Sequence, residues 1–381
     1  MEKQQQSSPQ RLESLDALRG FDLFCLVALE IVFHPLQRAI GMPWFDSFMW
    51  GFSHVQWEGF STWDLVMPLF MFMSGVSMPF AFSKYKTSPD KRTVYRRIGK
   101  RVALLWIFGM MCQGNLLAFD PDKIYLFSNT LQAIAIGYLI AAALFLHCRT
   151  EVQAGVAAAL LLISWAAMQF VSIDGYGGGS YTPDGNLAEG IDRAVLGRFR
   201  DGATATAEGG VIFSESYRYT WILSSLNFGV TVLTGLFAGQ IIKSARRQSQ
   251  KLKLLVAAGI ALAAAGWLWG LQAPVVKKIW SSSMTLVSSG YCFLLMAAFY
   301  YWIDYKGRRK NITWLKVYGM NSITAYMLAN IINFRCIGES LFYGLQPLLG
   351  NFYPVLPALV NVSVIYLILW LMYKRNLFLK I

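Results

Sequence analysis

The chain has 381 residues, of which 55% are apolar, 15% aromatic and only 14% charged, with a net charge of +13. Soluble domains carry about a quarter charged residues, so this composition excludes an ordinary soluble enzyme. Apolar runs such as VNVSVIYLILWLMY approach the roughly 20 residues that cross a bilayer. The positive charge is then read as cytoplasmic loops rather than a nucleic-acid surface.

The polar start MEKQQQSSPQ has no signal-peptide pattern, so the first span is expected to stay in the mature protein. About ten spans are expected, near 20–40, 63–83, 102–119, 128–147, 152–172, 219–242, 254–272, 283–303, 317–337 and 355–373. The fold class is therefore an all-α polytopic membrane protein. It divides into a cytoplasmic segment (1–18), a transmembrane domain (19–373) and a cytoplasmic tail (374–381). With both termini inside, 25 of the 34 lysines and arginines, including Lys3, Arg11 and Lys380, fall on the cytoplasmic side. Arg38, Lys123, Arg193, Arg198, Arg200, Arg218, Lys277, Lys278 and Arg335 do not.

In the first span, RLESLDALRG puts Asp16 and Arg19 three residues apart. They form either a helix-surface ion pair or, with basic residues of the 84–101 loop such as Arg101, a phosphate-attracting site facing the cytosol. Glu30 lies in FDLFCLVALEIVF, where an ionisable group is costly and marks a functional site. Arg38 is too far along the helix to pair with it, whereas His34, at i+4, is a structural alternative.

The outer segment 41–62 runs into HVQWEGFSTWDLVMP, which carries His54, one of three histidines. Ser61 and Asp64 have capping-box spacing. Pro68 is expected to open the helix near its outer end by freeing the carbonyl of residue 64. Trp57 and Trp63 are expected to wall the imidazole from water and so tune it as a neutral base. The plain alternatives are a solvated histidine and an aspartate that only caps.

Further along, Asn129, Gln132, Asn227, Asn321 and Ser322 either bridge helices or line a polar cavity, and His147 falls at the inner interface. The outer segment 173–218, containing YGGGSYTPDGN, shows no clear element and reads as functional or disordered. There is no internal repeat of the transporter kind. The five cysteines form no CxxC pair, so neither zinc nor disulfides are indicated.

Taken together, these motifs resemble the transmembrane acyltransferase family that includes heparan-α-glucosaminide N-acetyltransferases. The resemblance rests on SLDALRG, HVQWEGFSTWDLVMPLFMFMSGVS, TLQAIAIGYL, EGIDRAVLG, KKIWSSSMTLVSSG and YGMNSITAY, in order, over about residues 11–330. It implies that acetyl-CoA enters from the cytosol and a sugar or aminosugar acceptor from outside, with His54 as general base or transient acyl carrier. The catalytic set is then His54, Glu30 and Asp64. Trp57, Gln132, Trp280 and Asn321 would bind the acceptor, and Asp16, Arg19 and Arg101 the acetyl-CoA.

The implied setting is a bacterial inner membrane, with no metal and no nucleic acid, and a homodimer is left open. Three departures bear on the acceptor: Glu30 where relatives carry Asn, Ala133 in place of an Arg, and ESYRYTWILSSLN in place of D-P-E-G-L-L. The rival readings are a sugar transporter with a polar intramembrane cavity and a scaffold that has lost activity.

Overall fold

A computed structural model describes residues 12–114, 116–206 and 208–379. Lys3, Arg11 and Lys380 lie outside the described residues. In chain order the helices are α1 (Glu13–Phe24), α2 (Glu30–Ile40), α3 (Pro43–Trp50), α4 (Val66–Lys86), α5 (Arg92–Cys112), α6 (Thr130–His147), α7 (Thr150–Phe170) and α8 (Leu187–Leu196). There follow α9 (Ser224–Lys243), α10 (Gln248–Gly270), α11 (Ser282–Phe299), α12 (Thr313–Met320), α13 (Ser322–Ile331), α14 (Arg335–Phe342), α15 (Gln346–Leu349) and α16 (Val355–Lys374). The protein is an all-α polytopic membrane protein. Seven helical stretches among the described residues are long and apolar enough to cross a membrane.

The other three expected spans are helical but irregular. The first is one continuous rod whose middle, Cys25–Leu29, is a π-helical turn. Such turns occur as local bulges and often mark functional sites. α5 starts at Arg92, ten residues before the expected span, because its first three turns carry Arg92, Arg96, Arg97, Lys100 and Arg101. The 317–337 span is broken into α12, α13 and α14. The break at Asn321 is held by its side chain, which donates to the Leu377 carbonyl at 3.3 Å and accepts the Leu379 N–H at 3.4 Å.

α4 and α9 form the centre and pack backbone to backbone. A Cβ at Gly235 would lie 1.9 Å from the Phe72 carbonyl oxygen, and one at Gly75 would lie 2.0 Å from that of Val232. Small residues allow such approach where lipid supplies no hydrophobic drive between helices. α1 and α12 meet in the same way through Gly20 and Gly319. α10, by contrast, buries only 17% of its most apolar window, so its outer face meets lipid.

The two segments expected on the outer side are ordered. The 41–62 segment contains α3, and the 173–218 segment contains α8 and two hairpins. One hairpin pairs β1 (Ser172–Ile173) with β2 (Tyr176–Gly177), and the other pairs β3 (Ala203–Ala205) with β4 (Val211–Phe213). The second segment is held by buried charge. Arg200 donates to Glu189 at 2.6 Å, Arg193 donates to the same carboxylate at 2.7 Å, and Asp192 accepts the Trp221 and Ile222 N–H groups.

Candidate active site

His54 is set by a closed loop at the head of α4. A 3₁₀ turn, Thr62–Leu65, precedes that helix and starts with the Ser61–Asp64 capping box. Asp64 Oδ2 accepts the N–H groups of Ser61 at 3.0 Å and Val55 at 3.3 Å. The Ser61 hydroxyl donates to the Ser53 carbonyl at 2.6 Å. The loop thus closes on either side of His54, and the other carboxylate oxygen, Asp64 Oδ1, stands 2.9 Å from His54 Nδ1. Asp64 therefore both caps the helix and holds the imidazole. Pro68 falls in the first turn of α4, where its missing N–H is not needed, so the expected opening is only the preceding 3₁₀ turn.

A second segment completes the group. Gly59 donates to the Val275 carbonyl at 2.8 Å, and Glu58 bridges Val276. Ser281 caps α11 and accepts the Val276 N–H at 3.1 Å, which folds residues 276–281 into a tight turn. This brings the buried Lys277 Nζ to 3.3 Å from Asp64 Oδ1 and 3.1 Å from His54 Nδ1. Burial pushes the Lys277 ammonium below the ordinary lysine range, and the Asp64 carboxylate opposes that shift. In the sequence, Lys277 stands out as a basic residue outside the cytoplasmic set and as the first residue of KKIWSSSMTLVSSG, and neither feature links it to His54.

His54, Lys277, Glu30, His34, Arg38, Asp201, Tyr217 and Tyr219 line one cavity of about 820 Å³. Glu30 makes no hydrogen bond or ion pair among the described residues, with His34 or otherwise, and so is free to meet a ligand. The two tryptophans do not enclose His54, whose side chain is 41% exposed to the cavity. Trp57 instead donates to the Tyr181 carbonyl at 2.8 Å, joining the 41–62 and 173–218 segments, and Trp63 is buried against Phe52.

A second cavity of about 370 Å³ is lined by Arg19, Ser74, Ser77, Arg101, Ser322 and neighbours. Both cavities reach Phe70, Thr130 and Tyr326. On α4, Val66 lines the first cavity and Ala81 the second, fifteen residues apart and about 22 Å at helical rise, so the cavities address opposite ends of α4. Arg101 lies over the Tyr138 ring at 4.3 Å, and Asp16, outside both linings, sits 3.6 Å from Arg19.

The remaining sequence candidates lie outside both linings. Gln132 is fully buried, with Oε1 accepting the Ser128 and Asn129 N–H groups and Nε2 donating to the Leu126 carbonyl. Trp280 is buried and donates to Thr231 at 3.1 Å. Asn321 sits between two residues of the second lining, Met320 and Ser322, with its amide committed to the C-terminal strand of chain.

Residues 11–176 match the family described as heparan-alpha-glucosaminide N-acetyltransferase, catalytic. The human protein named heparan-alpha-glucosaminide N-acetyltransferase is 24% identical over an alignment of 366 residues that covers 84% of this chain and 52% of that protein. The chain thus spans about half the length of the curated relative it matches. The matched residues take in Arg19, Glu30, His54, Asp64 and Arg101, and the family resemblance carried by SLDALRG and the His54–Asp64 segment is one to the heparan-α-glucosaminide N-acetyltransferases.

Proposed function

We propose that the protein is a transmembrane acetyltransferase that moves an acetyl group from acetyl-CoA to an amine or hydroxyl of a sugar on the other side of the membrane. The observation that supports this most is the pair of cavities meeting at Phe70, Thr130 and Tyr326. One carries Arg19 and Arg101, suited to the phosphates of CoA, and the other carries an Asp-held histidine. The first faces the cytosol and the second the outside, following the charge distribution, in a bacterial inner membrane.

In this reading, Asp64 accepts Nδ1–H and leaves His54 Nε2 as a base toward the cavity. The acceptor nitrogen or oxygen attacks the thioester carbonyl and gives its proton to Nε2. The new C–N or C–O bond forms, the C–S bond breaks, and the imidazolium returns the proton to the departing CoA thiolate. Glu30, free of partners and in the same cavity, contacts the acceptor. A sugar transporter is the second reading, favoured by the same two cavities and the broken α12–α13 helix.

The test is free CoA released by purified protein from acetyl-CoA across a panel of aminosugars and glycans. His54→Ala should lower turnover by about a hundred- to ten-thousand-fold while CoA binding by calorimetry stays near wild type. Counterflow of labelled sugar without acetyl-CoA, together with no thioester cleavage, would favour the transporter.

A further inference from the structure

Four of the nine basic residues assigned to the outer side pair with carboxylates of that side: Arg193 and Arg200 with Glu189, Arg218 with Asp184, and Lys123 with Asp120. Lys277 differs because its partners are the reacting pair itself. We propose that Lys277 is a positioning residue that opposes charge on His54. Its ammonium, beside Nδ1 and Asp64, makes the imidazolium a short-lived proton carrier. This rests on the reading of His54 as the base.

The argument starts from hydrogens. Nδ1 offers either an N–H or a lone pair, never both. If it offers the N–H to Asp64 at 2.9 Å, Lys277 can donate only to the carboxylate, and Nε2 is left as a base. If Lys277 donated to Nδ1 instead, two acceptors, Nδ1 and Oδ1, would face each other at 2.9 Å with no hydrogen between them. Nε2 would then carry the ring hydrogen and could not act as a base. The carboxylate therefore selects the first arrangement, and the influence of Lys277 on the ring is one of charge.

That influence acts at short range, and the site is buried on the lysine side. A like charge within about 4–6 Å disfavours the charged form of its neighbour, and here the separation is 3.1 Å. Two protonable nitrogens share one carboxylate. The other groups that face Lys277 divide in sign: Glu30 favours the ammonium and the adjacent Lys278 disfavours it. Tyr219 faces Asp64 and Glu30 from the segment that leads into α9. When His54 takes the acceptor's proton, the second positive charge against Lys277 drives that proton on to the thiolate.

The chain has three histidines, so ¹⁵N-imidazole NMR of full-length protein in detergent resolves His54, with His54→Gln as the assignment control. Wild type should show the neutral ring protonated at Nδ1. Lys277→Met should raise the His54 titration midpoint by about one pH unit or more, equivalent to about 1.4 kcal/mol, and Lys277→Arg should leave it near wild type. The acid limb of the pH–rate profile should move upward with the midpoint, a change that mere loss of packing would not produce. If Lys277→Met fails to retain CoA binding, Lys277→Gln serves in its place. An unchanged midpoint in the neutral variant, or an Nε2–H ring in wild type, overturns the proposal. The titration judges Lys277 without any turnover, whereas the thioester assay judges the reading beneath it.

Discussion

Replacing Asp64 by Asn separates what the carboxylate does for the fold from what it does for the chemistry. Asp64 is 1% exposed and serves His54 Nδ1, the Ser61 and Val55 N–H groups, and Lys277. Asn keeps the shape but has one acceptor oxygen, so either the imidazole or the loop N–H groups must face an NH₂. Lys277, buried, loses its counter-charge, and removing one partner of a buried ion pair costs about 3–5 kcal/mol. Turnover should fall further than stability implies. The equivalent change in a Ser-His-Asp triad costs about 10⁴ in kcat through the wrong tautomer. Adding Lys277→Met to Asp64→Asn removes the stranded charge, so the double variant should regain most of the thermal stability and none of the rate. The assay is detergent thermal stability beside CoA release for the four proteins of the cycle. An Asp64→Asn enzyme within about tenfold of wild type would refute the reasoning, because no orienting partner would then be needed.

Two further perturbations test the scaffold. Gly235→Ala pushes a methyl toward the Phe72 carbonyl and should cost about 1–3 kcal/mol as overpacking, read as a lowered melting temperature with reduced CoA release. Asp192 lies in the 173–218 segment and is pushed up to about 7 by burial, against its two backbone hydrogen bonds. Folding therefore takes up a proton between the unfolded carboxyl's value near 4 and about 7. Over that window stability falls as pH rises, at up to about 1.4 kcal/mol per unit. Thermal melts should therefore be higher at pH 5 than at pH 8, and the difference should shrink in Asp192→Asn.

The parts of the fold that announce themselves locally were legible. Unbroken apolar runs located α4, α6, α7, α9, α10, α11 and α16 to within a few residues. The Ser61–Asp64 spacing placed the head of α4, because a capping box is a contact over three residues. What stayed hidden depends on distant partners. Nothing near Asn321 reveals that its amide bonds Leu377 and Leu379, so the break in that span was unreadable. α5 was placed late because a positively charged helical stretch looks like a loop to a hydropathy reading. Trp57 was assigned to His54 by proximity in sequence, whereas its indole reaches Tyr181, 124 residues away. Lys277, 223 residues from His54, could be seen as out of place but not as belonging to the pair.

The wall formed by Phe70, Thr130 and Tyr326 has an electrical meaning. Where cavities indent a membrane protein from both ends, the transmembrane voltage drops mainly over the septum between them, not over the full bilayer. A unit charge crossing the whole drop exchanges about 2.3 kcal/mol per 100 mV. The acetyl group leaves its bonding electron pair on sulfur, so it counts as one positive charge moving outward, while the acceptor's proton counts as one moving back to the thiolate. If that proton rejoins the thiolate across Phe70, the two movements cancel and transfer is electrically silent overall. If the proton instead escapes outward and the thiolate is protonated from the cytosol, each turnover carries one charge through the field and its rate follows the membrane voltage. Proteoliposomes held at opposite diffusion potentials distinguish the two routes.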